Sequence, residues 1–244
     1  MRLYYQSLLN LIFPTDCRAC RQPLDPGARS LICSGCWGSF YYLEGPRCPD
    51  CGKSFISSTA LAHSPEHLCQ DCRLHPPAFE QALSIAAFEG ALRQAIHLFK
   101  FDGKTLLGRE LAELLAQRAG TLLDGQAPDY IIPVPLHWFR RWRRGFNQSK
   151  ILARALSKTA GAPLAHNLKR IRYTKPQFSV DAKEKEKNVR GAFAVRRPQA
   201  LKDKTVLLVD DIYTTGATVR ECAKVLKKAG ARKVLVLTLA RAGV

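Results

Sequence analysis

The chain has 244 residues, 46% of them hydrophobic, which is enough for one or two domains with a sizeable core. Its net charge of +18 is unevenly placed: residues 1–80 hold seven basic and seven acidic side chains, so the whole excess falls in residues 81–244, 31 against 13. The run from Leu3 to Phe13 is apolar for only eleven positions and is broken by Gln6, Ser7 and Asn10, which argues against both an export signal and a membrane span.

Eight of the nine cysteines form four CxxC pairs: Cys17 and Cys20, Cys33 and Cys36, Cys48 and Cys51, Cys69 and Cys72. Twelve residues separate the first two pairs and seventeen the last two. These are zinc-ribbon spacings, so two tetrahedral Zn2+ sites are expected, making residues 1–80 a double zinc ribbon. A disulfide framework would suit a small secreted chain, and without an export signal the expected location is the reducing cytoplasm. Four thiolates close the coordination sphere, which makes the sites structural: metal binding supplies stability to a turn-rich segment with little core. His63, His67 and His75 are alternative ligands near the last two pairs, and the spacing leaves sequential and interleaved pairing open. Cys222 falls in an expected helix and reads as a small buried residue.

Residues 81–244 read as one α/β domain on a parallel sheet. Leu83 to Phe88 is an expected strand, Ala91 to Phe101 an amphipathic helix, and Leu106 to Ala119 a second helix ended by Gly120. The segment from Asp102 to Thr105 contains GKT, but a phosphate loop needs glycine five positions before Gly103, and Leu98 stands there. Asp129 to Pro135 is an expected buried strand, broken by two prolines at its carboxyl end. A loop from Leu136 to Gly145 follows, carrying Arg140, Arg141, Arg143 and Arg144. Guanidinium forks in that position suit a pyrophosphate. Gln148 to Ala160 is the covering helix. Lys175 to Arg190 is polar and without a clean period, which suggests a mobile lid; a charged surface helix is the alternative.

Residues 131–200 contain 17 basic and 3 acidic side chains. Interleaved with Trp138, Phe139, Trp142, Phe146, Tyr173 and Phe178, they have the composition of a single-strand nucleic-acid surface, with cations for phosphates and rings for bases. Arg140, Arg141, Trp138 and Trp142 are its candidate contacts. The competing reading is local neutralisation of a phosphate-rich small substrate.

Val206 to Thr218 reads VLLVDDIYTTGAT. Val206 to Val209 is a buried strand, and Val219 to Ala229 is the helix after it. Asp210 and Asp211 sit at the strand tip, where carboxylates hold a sugar diol or a hydrated magnesium ion. Thr214, Thr215, Gly216, Ala217 and Thr218 then form a turn of free N–H groups, hydroxyls and a helix start, which is a phosphate cradle. Lys233 to Ala240 is a last strand.

This motif is similar to the signature by which type I phosphoribosyltransferases bind phosphoribosyl pyrophosphate (PRPP). That resemblance implies ribose hydroxyls on Asp210 and Asp211, the 5′-phosphate within Thr214 to Thr218, and Mg2+ bound with PRPP. With the four CxxC pairs, PVPL (Pro133 to Leu136), RRGFNQ (Arg143 to Gln148), KPQ (Lys175 to Gln177) and KNVRGAF (Lys187 to Phe193), the chain resembles the ComF family, including its GntX-type members. The resemblance implies a double zinc ribbon over residues 1–80 and a type I phosphoribosyltransferase domain over residues 81–244. With the metal sites confined to the ribbon, replacing Cys48 and Cys51 together is expected to unfold it and leave PRPP binding in place. The resemblance further implies Arg143, Arg144 and Lys187 as catalytic residues, with Lys183, Lys185 and Arg190 as alternatives to Lys187 on the lid, natural competence as the setting, internalised single-stranded DNA as a partner, and DNA-uptake or recombination-mediator proteins as others. Where purine transferases carry an aspartate base in the turn, this chain has Thr214, and a hydroxyl is no base near neutral pH. A working transferase and a PRPP-sensing regulator stay open as alternatives.

Overall fold

The computed structural model describes residues 16–25, 28, 30–55, 64, 66–101, 105–174 and 182–243. Four strands form one sheet: β1 (Gln81–Ala87), β2 (Tyr130–Pro133), β5 (Thr205–Tyr213) and β6 (Lys233–Arg241), in the order β1-β6-β5-β2 with every neighbouring pair parallel. β3 (Leu168–Arg170) and β4 (Phe193–Val195) make a separate antiparallel pair that the sequence reading did not anticipate.

Alternation along the sheet sends side chains to two faces. Ile131, Leu207, Val209, Leu235 and Leu237 meet α3 (Gly90–Phe101), α4 (Thr105–Leu123) and α6 (Gln148–Ala160). Ile132, Val206, Leu208, Val234 and Val236 meet α8 (Ala217–Lys228), which buries Val219, Cys222, Ala223 and Leu226 on one stripe. Covering both faces explains why the strands are continuous apolar runs. Cys222 is fully buried, as a small apolar residue would be.

Several boundaries differ from the sequence reading. Helix α4 runs through Gly120 because Leu107, Leu111, Leu115, Ala119 and Leu123 keep burying one face, which outweighs the roughly 1 kcal/mol that an interior glycine costs. The segment after β2 is a helix where a loop was expected: α5 (Trp138–Arg144) is capped by His137, whose side chain accepts from Phe139 N, and ended by Gly145 at φ 77°. Strand β5 continues to Tyr213, so Asp210 and Asp211 lie within it, and α8 starts two residues earlier than expected. Of the expected lid, residues 175–181 lie outside the described residues, and the rest is the helix α7 (Ala182–Val189).

The cysteine-rich part is built from two short antiparallel bridges, Asp16 with Pro23 and Arg47 with Ser54, each closing a turn that carries a CxxC pair. Two five-residue helices, α1 (Ser34–Gly38) and α2 (Gln70–Leu74), carry the other pairs and start directly after Cys33 and Cys69. Cys17 and Cys36 pack with Leu31, Ile32 and Phe40 in the α3–α4 cluster, whereas Cys48, Cys51, Cys69 and Cys72 belong to the α8 cluster. Tyr42 also bridges to Ala86 on the free edge of β1.

Candidate functional site

The Sγ atoms of Cys17, Cys20, Cys33 and Cys36 lie within 4.8 Å of one another, as do those of Cys48, Cys51, Cys69 and Cys72. Pairing is therefore sequential, and among the described residues no histidine joins either group. His67 packs edge-on against Phe55, His75 turns its carbonyl to Arg220, and His63 lies outside the described residues. Separations of 3.7 Å for Cys17–Cys36 and Cys20–Cys33, and 3.6 Å for Cys51–Cys69, fit the edge of a tetrahedron with metal–sulfur bonds of ~2.3 Å. Backbone N–H groups of Cys33, Cys36 and Cys69 point at sulfur at 3.3 to 3.4 Å, which favours thiolate. Both groups fit zinc and leave no position for water, so the metal would supply folding energy and no chemistry.

The second site lies where β2 ends. Pro133, the last residue of β2, pairs with Val209, and beyond it one side of β5 is uncovered from Asp210 onward. A cavity of about 770 Å³ opens there, lined by Asp210, Asp211, Thr214, Gly216 and Thr218 together with Lys100, Arg140, Arg144, Ser149, Arg170, Tyr173 and Lys185. All four strands point their carboxyl ends toward this edge, the usual ligand position of an open α/β sheet.

Each carboxylate has its own support. Asp211 pairs with Lys100 of α3, Nζ to Oδ2 at 2.9 Å, with both side chains largely buried. Asp210 accepts twice on Oδ1, from Ser149 Oγ at 2.8 Å and from Asp211 N at 2.9 Å. Burial, with the adjacent Asp211 charge, pushes the Asp210 carboxyl well above the usual carboxylate range, against the Ser149 hydrogen bond and Lys100. Ser149 is placed by Asn147, which caps α6 through Oδ1 and ties it to the residue after β2, donating from Nδ2 to Val134 O at 3.1 Å. Gly216 takes φ 77° at the start of α8, Thr215 Oγ1 accepts from Ala217 N, and Thr214, Gly216 and Thr218 of this turn line the cavity.

Helical periodicity divides the arginines of α5. Arg140 and Arg144, four apart, line the cavity beside β5. Trp138, Arg141 and Trp142, spaced i, i+3 and i+4, line an outer groove of about 1180 Å³ with Lys150, Arg154, His166, Lys169, Ile171 and Arg196. Trp138 is 71% and Trp142 77% exposed, which separates them from core tryptophans. The side chain of Arg143 lies outside the described residues. Lys187 is exposed on α7 away from the cavity lining, where Lys185 of the same helix stands instead.

Arg170 lines both cavities. It donates to Thr174 Oγ1 while Arg140 donates to Thr174 O at 2.6 Å, and its guanidinium lies 5.2 Å from the Phe193 ring centroid. Burial, with Arg140 alongside, pulls Arg170 down to about 10. Lys100, Ser149 and Arg170 escaped sequence reasoning because none lies in the motif, and Tyr173, read there as one ring of the basic stretch, lines the cavity. A cap signal that could have pointed toward Ser149, Asn147 directly before Gln148, was not read from the sequence.

Residues 8–73 match the double zinc ribbon domain and residues 104–244 the phosphoribosyl transferase domain. Fold, cysteine groups and cleft thus define a phosphoribosyltransferase-type α/β protein with an amino-terminal double zinc ribbon. Similarity to curated proteins then narrows the class. The chain is 34% identical to Competence protein F of Haemophilus influenzae, over 94% of this chain and 98% of that protein. It is 34% identical to the DNA utilization protein YhgH of Escherichia coli K12, over 95% and 99%, and 29% identical to Competence protein ComFC of Streptococcus pneumoniae, over 87% and 88%. The chain belongs to the ComF family of competence and DNA-utilization proteins. Among the described residues no helix is long and apolar enough to cross a membrane.

Proposed function

We propose that the chain handles internalised single-stranded DNA in the cytoplasm through a phosphoribosyltransferase domain that binds PRPP with magnesium. The observation that carries this reading is one cavity uniting Asp210 and Asp211, the Thr214–Thr218 turn, Arg144 and Lys100, set against a basic groove that bears two exposed tryptophans. Asp210 and Asp211 would hold the ribose hydroxyls and the ion, the turn would hold the 5′-phosphate, and Arg143 and Arg144 the pyrophosphate, with Lys185 as the cation that α7 brings to the cavity in place of Lys187. Magnesium would offset the phosphate charge. Along the groove, Trp138 and Trp142 would stack on bases while Arg141 contacts phosphate. Metal-thiolate centres of this kind belong to a reducing compartment. Residues 1–80 and 81–244 are the two units of this reading, and proteins of DNA uptake or recombination mediation would be its macromolecular partners.

Thr214 supports a second reading, a PRPP sensor without turnover, because the turn offers no carboxylate base. Calorimetry with PRPP and magnesium, with and without a single-stranded oligonucleotide, tests both readings. Binding of both ligands is expected. PRPP that alters DNA affinity without pyrophosphate release would favour the sensor, and pyrophosphate release would favour a transferase. A chain that binds no single-stranded DNA even at low salt would overturn the DNA reading.

A further inference from the structure

The second cysteine group lies beneath the phosphate turn, and two arginines join them. Arg220, in the first turn of α8, donates through Nη2 to Asp71 Oδ2 at 2.8 Å and to Cys72 Sγ at 3.7 Å, and through Nη1 to the His75 carbonyl. Its backbone N–H donates to Gly216 O at 2.8 Å, closing the first turn of the helix. Arg241, at the end of β6 and only 5% exposed, donates to Cys51 O at 2.6 Å and to Cys51 Sγ at 3.5 Å. Its guanidinium sits 4.3 Å from the centroid of the Tyr213 ring. That ring supports the turn so closely that a Cβ on Gly216 would stand 2.2 Å from the Tyr213 hydroxyl oxygen.

Both ends of the turn are therefore held by guanidiniums anchored on the cysteine group. The helix end is held through Arg220 and Gly216, and the strand end through Arg241 and Tyr213. A zinc ion with four thiolates carries a net double negative charge, which two guanidiniums complement. Among the described residues no carboxylate pairs with Arg241, so this group supplies its nearest anionic contact. The anchors are small elements: α2 has five residues, and the Arg47–Ser54 turn, held by its bridge and by bonds such as Cys48 N to Lys53 O, is tied to β1 where Ala82 N donates to Asp50 O. The group of Cys17, Cys20, Cys33 and Cys36 packs with the other cluster, beside α3 and α4.

We propose that the Cys48–Cys51–Cys69–Cys72 centre is the floor of the phosphate site, with Arg220 and Arg241 as positioning residues. Loaded with metal, it holds the Tyr213–Gly216 turn in the shape that presents N–H groups to a phosphate monoester. This reverses the expectation of a ribbon separable from ligand binding, and it rests on the reading of the cleft as the PRPP site. Linkage makes the effect reciprocal, so phosphate in the turn stabilises this metal centre and not the first.

The test uses full-length protein loaded with 113Cd, whose two resonances are assigned by correlation to cysteine β protons. Adding PRPP with magnesium is expected to move the resonance of the second centre and leave the first in place. Arg220→Gln is expected to keep two cadmium ions per chain, weaken PRPP binding at least tenfold by calorimetry, and remove that response. Arg241→Lys, which keeps the buried charge but loses the fork, should act in the same direction. Wild-type protein that binds PRPP with both resonances unmoved, or Arg220→Gln that binds PRPP as wild type does, would overturn the proposal. Absence of PRPP binding by the loaded wild-type chain would overturn the site reading, and the proposal with it.

Discussion

Both hydrogen bonds to the Asp210 side chain end on Oδ1, while burial and the Asp211 charge act against its ionisation. A carboxyl whose folded-state pKa is raised favours folding most below its unfolded value, about 3.9, and loses that contribution as pH rises through the folded value. Asp210→Asn keeps an Oδ1 acceptor for Ser149 and Asp211 N but removes the buried charge. Its stability relative to wild type should increase between pH 4 and pH 8, on the order of 1–2 kcal/mol, or about 2–4 °C in melting temperature for each kcal/mol. The same change should abolish PRPP binding. In the wild type, affinity for PRPP with magnesium should fall between pH 8 and pH 6 as Asp210 takes up its proton. A pH-independent stability difference would refute this account of Asp210. Gly216→Ala tests the turn separately: a positive φ and a contact with Tyr213 that must yield should cost about 1–3 kcal/mol and suppress phosphate binding.

Helix α5 is the element on which the two uses of the basic charge divide. Replacing Trp138 or Trp142 by alanine should weaken single-stranded DNA binding by roughly 1–3 kcal/mol per stacked base. Thermal stability should stay nearly unchanged, since both rings are exposed. Arg144→Gln should do the reverse, cutting PRPP affinity and leaving DNA binding intact. Salt titration adds a check, because log affinity for single strands falls by about 0.7 per phosphate neutralised for each unit of log salt, so Arg141→Gln should flatten the slope. A slope unmoved by Arg141→Gln but flattened by Arg144→Gln would assign the faces of α5 the other way. The arginine run had looked like a loop because Pro133 and Pro135 precede it. The i, i+4 spacings of Trp138 with Trp142 and of Arg140 with Arg144 were already in the sequence, but they become informative only once His137 and Gly145 are seen to cap a helix.

Across the whole molecule the cysteine groups do more than decorate one end. Each joins one of the two apolar clusters that cover the sheet, so the cysteine groups and the α/β core share packing. Purified protein should hold two zinc ions per chain, and chelation should lower the melting temperature of the α/β core along with that of the ribbon. Metal analysis that finds one ion, or an unchanged core transition after complete chelation, would contradict that coupling.

Local patterns carried much of this protein. Cysteine spacing announced the two four-cysteine groups, continuous apolar runs announced parallel strands, and VDDIYTTGAT placed two carboxylates beside a glycine turn at a helix start, because each signal lies within a few residues of chain and expresses a local geometric need. The extent of α4 past Gly120 and the length of β5 were harder to read, since neighbouring packing settles where an element stops. Sequential pairing of the cysteines, the approach of Lys100 and Ser149 to the carboxylates, and the clamp of Arg220 and Arg241 on the second centre were decided only by the tertiary structure. The contacts of Lys100, Ser149, Arg220 and Arg241 join residues 61 to 190 positions apart, up to the bond from Arg241 to Cys51. No periodicity along a chain encodes such a meeting; it follows from the order in which strands assemble and from the faces their helices cover.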